Sequence, residues 1–326
     1  MEMELITQFS PGKYRAWCSL LNRVGLAPDE NFDQTVLLWE GETLAAAGSR
    51  WGNLFKCIAV DPAYRGSDLT STLLTVLRQE AFRAGFDHLF LYTKPENRFL
   101  FSQLLFHPVV KTRDVLLMES RRGGIREFLS RLPVAAASGP IGAAVMHCDP
   151  FTRGHRHLIE TAAGECDHVY VFVLSEDRGF FSAKDRTEMV KRGTADLPNV
   201  TVLPTGPYLI SAATFPTYFL KDRDGAQAQC DLDIALFTQY FAPHFGITCR
   251  YVGSEPFSGL TAQYNQVLTQ TLPEYGIAVR EIPRLCAGDR PISATTVRAC
   301  IEQRDWDSLN TLLPETTIGY IKNTHP

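Results

Sequence analysis

The sequence predicts two units in series, an α+β unit followed by an open, doubly wound parallel α/β sheet. Three observations carry that reading. At 326 residues the chain exceeds what one ordinary hydrophobic core organises. A stretch of linker character interrupts it, from Arg121-Arg122-Gly123-Gly124 to Ala135-Ala136-Ala137-Ser138-Gly139-Pro140, around one short amphipathic segment. Beyond it, apolar runs alternate with helical periodicity, as in a parallel sheet with helices on both faces. The expected boundaries are 1–122, a linker at 123–140, and 141–326.

In the first unit Met3–Phe9 reads as a strand and Lys13–Val24 as a helix, with Trp17, Leu20, Leu21 and Val24 on one face. Gln34–Glu42 and Thr43–Trp51 read as strands joined by a tight turn near Gly41. A further strand, Phe55–Val60, ends at Asp61-Pro62. Leu69, Leu73, Leu74, Leu77 and Ala81 then recur at helical spacing, and Gly85 stands where a helix C-cap belongs. His88–Thr93 is a strand, Asn97–Leu105 a short helix and Val115–Met118 the last strand.

In the second unit Ile141–Cys148 is a continuous apolar strand, as burial on both faces demands. Thr152–Cys166 is a helix with Leu158, Ile159, Ala162, Ala163 and Cys166 inward, and Val169–Leu174 is the next strand. Ser182 opens a helix, with Asp185 three residues on as a capping box. Val200–Leu203, Cys249–Gly253 and Ala278–Ile282 are further strands, and Ser293 starts a helix carrying Val297, Cys300 and Ile301.

Composition narrows the function. A net charge of −4 gives no electrostatic reason to expect nucleic acid as a partner. No apolar run approaches the roughly 18 residues a membrane span needs. The start, Met1-Glu2-Met3-Glu4, is acidic where a secretory leader is basic and then apolar, so a cytoplasmic location is expected. The eight cysteines show no C-x-x-C pair and are expected to be reduced core residues.

The stretch that carries chemistry runs from Val145 to His155. A buried strand enters the turn Asp149-Pro150-Phe151-Thr152-Arg153-Gly154-His155, which opens a helix. In a doubly wound sheet, ligands bind beyond the carboxyl ends of the strands. A helix N-terminus there offers unpaired N–H groups to a phosphate chain. Pro150 fixes the turn, Gly154 leaves room for close approach, Thr152 caps the helix or donates to phosphate, and His155 faces the crevice. Thr152 is equally a plain N-cap of a strand-to-helix connection. His147, Cys148, His155 and His157 suggest a metal, but residues two apart on a helix diverge, and no metal site is expected.

This turn resembles the T/H-x-G-H signature of the nucleotidyltransferase superfamily, and Ile292-Ser293-Ala294-Thr295-Thr296-Val297-Arg298 resembles its second signature. The resemblance implies that Asp149, Pro150, Phe151, Gly154, Ser293 and Thr295 bind ATP. It further implies that His155, Thr152 and Arg298 stabilise charge on the phosphate under attack, with Mg²⁺ assisting. Lys184 and Arg186 can reach the triphosphate, or are solvated helix charges. Arg298 has the same second reading.

The similarity extends further. Gly142–Met146 through Ile159, Asp185–Lys191, Gly253-Ser254-Glu255-Pro256-Phe257 with Tyr264-Asn265, and Ile292–Arg298 on to Pro314–Thr317 resemble the citrate lyase ligase family. That family implies ATP-dependent acetylation, from acetate, of the thiol of the phosphopantetheine-type prosthetic group on the citrate lyase acyl-carrier subunit. Acetyl-adenylate is the intermediate, and AMP and pyrophosphate are released. The alternative is an adenylyltransferase acting on a pantetheine- or nicotinamide-type phosphate. The family also implies a GNAT-like N-terminal domain, and Asp61-Pro62-Ala63-Tyr64-Arg65-Gly66 before a long helix resembles the GNAT turn that wraps acyl-CoA pyrophosphate. Asp68 and Thr70 stand at its second and third small positions, and a carboxylate there repels pyrophosphate. The domain is therefore expected to be GNAT in shape and to dock the carrier or its pantetheine-like arm.

Overall fold

The computed structural model describes residues 1–177, 179–211, 215–220, 225–254, 259–288 and 290–324. They form two compact units, Met1–Ile125 with Phe215–Ala235, and Arg126–Thr214 with Leu236–Pro326. The grouping of Phe215–Ala235 with the first unit is a return of the chain that strand–helix alternation does not announce.

The first unit runs β1 (Glu2–Ile6), α1 (Pro11–Arg23), β2 (Gln34–Glu40), β3 (Thr43–Trp51), β4 (Leu54–Val60), α2 (Leu69–Arg83), β5 (Phe90–Thr93), α3 (Arg98–Gln103), β6 (His107–Lys111) and β7 (Leu116–Glu119). Its sheet has the order β1-β2-β3-β4-β5-β7-β6. Neighbours pair antiparallel except β4 and β5, which run parallel. That mixed sheet, with one parallel pair at its centre, is the GNAT-like fold the sequence implies. The predicted apolar stripe of α2 is buried at Leu69, Leu73, Leu74, Leu77 and Ala81. It lies so close to β3 that a Cβ at Gly48 would sit 3.1 Å from Leu77 and 3.9 Å from Leu73. The strand the sequence did not reveal, β6, contains Pro108 and lies at the sheet edge, where proline is tolerated.

The chain continues through α4 (Gly124–Ser130), β8 (Ile141–Met146), α5 (Arg153–Glu165), β9 (His168–Val173), α6 (Ala183–Gly193), β10 (Val200–Pro204), α7 (Gly225–Leu236), α8 (Ala242–Phe245) and β11 (Cys249–Gly253). Then follow α9 (Gly259–Thr271), β12 (Ala278–Ile282), the short pair β13 (Cys286–Ala287) and β14 (Arg290–Pro291), α10 (Ala294–Glu302), α11 (Trp306–Leu312) and α12 (Glu315–Thr324). Strands β8 to β12 form a parallel sheet in the order β10-β9-β8-β11-β12. This is the doubly wound sheet expected. The order reverses at β8, so the crevice beyond its carboxyl end is the ligand position of such a sheet. Among the described residues no helix is long and apolar enough to cross a membrane.

Candidate active site

The site grows from the end of β8. Asp149 and Pro150, joined by a cis peptide, are buried, as are Phe151 and Thr152. Although expected to contact nucleotide, the Asp149 side chain is engaged by the protein. Its carboxylate accepts the backbone N–H groups of Phe180 and Phe181, each at 2.8 Å. Gly179 permits that approach, since a Cβ there would lie 2.6 Å from Asp149 Oδ2. Phe151 is equally occupied: it is fully buried, stacks on the His155 ring at 6.0 Å, and a Cβ at Gly193 would meet it at 2.3 Å. Asp149 and Phe151 therefore shape the turn.

Thr152 is the N-cap of α5, and its hydroxyl accepts the His155 N–H at 3.3 Å. Its own backbone N–H donates to His155 Nδ1 at 3.0 Å. A ring nitrogen that accepts from an amide carries no proton in the neutral imidazole, so the proton resides on Nε2. Burial, and then the nearby positive charges of Arg284 and His147, push the His155 pKa down to about 4. The ring is thus a neutral Nε2–H donor at physiological pH. Burial likewise lowers the His147 pKa and raises that of the Cys148 thiol, which is 1% exposed. Gly154 is not demanded by packing, since a Cβ there would meet Thr152 Oγ1 at 3.5 Å and Ile292 at 3.9 Å, ordinary contacts.

The second motif comes to the same place. Ile292 packs over Gly154, and Ser293 caps α10 by accepting the Thr296 N–H at 3.2 Å. Arg298 Nη1 donates to the Asp149 carbonyl at 2.6 Å and lies 3.7 Å from its carboxylate, while Nη2 donates to the Thr295 hydroxyl at 3.2 Å. The guanidinium stays partly exposed over the turn, its side chain 31% accessible. The two motifs, far apart in sequence, thus meet at one turn, with the N-termini of α5 and α10 beside it.

Lys184 is exposed on α6. Arg186 is not a solvated helix charge. It is fully buried, and its guanidinium donates to the carbonyls of Phe181, His147 and Glu176. Those bonds take three of its five N–H groups and fix it within the wall of the site. Sequence reading also missed Gly179 and Arg284. Arg284 follows β12, donates from Nε to the Ser254 carbonyl at 2.8 Å, and acts on His155 through its charge. Glu255, Pro256 and Phe257 lie outside the described residues. Among the described residues, no three His, Cys, Asp or Glu side chains are placed to share a metal ion.

Residues 141–321 match the family described as citrate lyase ligase C-terminal domain. The citrate (pro-3S)-lyase ligase of Escherichia coli strain K12 is 37% identical over 311 residues, 93% of this chain and 88% of that protein. The protein of the same name from Klebsiella pneumoniae is 38% identical over 304 residues, 91% of this chain and 89% of its own length. Among solved structures, Escherichia coli ElaA is 15% identical and covers 37% of this chain and all of its own, with a TM-score of 0.33.

Proposed function

This chain belongs to the citrate lyase ligase family, and we propose that it activates acetate with ATP and acetylates the prosthetic-group thiol of the citrate lyase acyl-carrier subunit. An acetate oxygen attacks the α-phosphorus of ATP, and the bond to pyrophosphate breaks. The carrier thiol, having lost its proton, then attacks the acetyl carbonyl of the mixed anhydride, forming the thioester and expelling AMP.

The observation that carries this reading is the held imidazole of His155. Its Nδ1 is fixed by the Thr152 N–H, so a neutral Nε2–H is aimed by the first turn of α5. A preset donor needs no reorganisation as charge builds on the α-phosphate, which is the main resource of phosphoryl-transfer sites. The α5 and α10 N-termini add oriented N–H groups, and Arg298 adds a full positive charge beside them. Mg²⁺ would be held mainly by the triphosphate itself and would neutralise the departing pyrophosphate. A cytoplasmic setting fits the need for ATP.

The test is exchange of labelled pyrophosphate into ATP. The expected result is exchange that depends on acetate and yields free AMP when reduced carrier is added. Exchange indifferent to acetate, or AMP retained in the product, would favour a cofactor adenylyltransferase and remove this reading.

A further inference from the structure

The first unit contains an opening that the adenylation chemistry does not use. β4 and β5 pair only at Leu54 with Phe90 and Phe55 with Leu91, and beyond those residues the ladder stops. Parting strands expose backbone groups that must find partners. Here the chain supplies them from much later in its own sequence. Tyr218, 6% exposed, donates its hydroxyl to the Tyr92 carbonyl of β5 at 2.9 Å. The phenol is therefore fastened to β5 where the two strands separate. Around it, Ala27 donates its N–H to the Tyr218 carbonyl at 2.7 Å, and Phe215 meets the Tyr92 ring edge-on at 5.9 Å. Phe219 and Leu220 are buried as well.

The turn that follows β4 points the same way. Asp61 accepts the Ala63 N–H at 2.9 Å and pairs with Arg23 at 2.8 Å. Asp68 stands at the N-cap of α2. A polyphosphate entering here would face two carboxylates and would find an N–H and a guanidinium already taken.

We propose that residues 215–220 are a built-in occupant of the β4–β5 opening, so that the first unit, contrary to the arm-docking role its sequence suggests, takes neither acyl-CoA nor a free pantetheine arm and acts as a closed module. This stands apart from the ligase reading, whose candidate residues all lie in the second unit.

Calorimetry of the full chain with acetyl-CoA and with CoA tests it directly. No saturable binding is expected up to about 1 mM ligand. Saturable binding by the unaltered chain would overturn the proposal. Hydrogen exchange on Tyr218→Phe provides the second arm. Segments 215–220 and 90–93 should lose protection together, because the phenol joins them. Exchange that rises in 215–220 while β5 stays protected would also overturn it.

Discussion

Thr152 and His155 hold each other: the Thr152 N–H reaches the imidazole Nδ1 at 3.0 Å, and the His155 N–H reaches the Thr152 hydroxyl at 3.3 Å. The exchange satisfies two of the donors a helix start leaves unpaired. It also settles the tautomer of the ring and the direction of its remaining N–H.

His155→Ala should lower the acetate-dependent exchange rate by about 10²- to 10³-fold, with a smaller change in KM for ATP. Thr152→Ser should stay near the parent rate because the hydroxyl survives. Thr152→Val should cost about 1 kcal/mol of stability through the lost cap, read by thermal melting.

The pH dependence follows from the depressed His155 pKa. With a folded value of about 4 and an ordinary value near 6.5, the unfolded chain binds the proton more readily between the two. The contribution of this group to stability is complete above the ordinary value and is lost as pH falls through the folded one. Activity should show no ascending limb from this group above about pH 5. A limb near pH 6.5 in the kcat profile would show that the ring is not held neutral.

Gly179→Ala should damage the fold before it damages binding. The new Cβ would lie 2.6 Å from the Asp149 carboxylate and would separate it from the two N–H groups it accepts. The Phe181 bond is buried and the Phe180 bond partly so, and about 1–3 kcal/mol is expected, visible as a lower Tm. Gly154→Ala should melt with the parent, since its neighbours stand at contact distance, and should raise KM for ATP instead.

Arg298→Lys keeps the charge but loses the fork that reaches both Asp149 and Thr295. A fall in kcat/KM for ATP on the order of tenfold is expected, matching one charge-assisted hydrogen bond of about 1.5 kcal/mol. Arg186→Ala should behave differently, because it strands three carbonyls in a buried wall. Its effect should appear in thermal melting and soluble yield.

The second sheet was legible because β8 and β9 are continuous apolar runs and α5 has a clean inward stripe at Leu158, Ile159 and Ala162. The motif residues were legible for a local reason: Thr152, Gly154 and His155 sit within one helical turn. What stayed hidden is non-local. The partners of Asp149, the N–H groups of Phe180 and Phe181, come from a loop about thirty residues away. Arg186 looks like a surface charge by helix position, and only the fold shows it enclosed by the loops after β8 and β9. Helices α7 and α9 escaped because their apolar residues are not gathered in a clear stripe.

The grip of Arg298 on the Asp149 carbonyl has a consequence for how this enzyme comes into being. Strand β8 and helix α5 precede α10 in the chain and are synthesised before it. Until then the turn between them lacks the clasp that closes over it. A nascent or truncated polypeptide ending short of Arg298 would own most of the scaffold but not the assembled centre. Catalytic competence should therefore wait until α10 has been made and has closed on the turn.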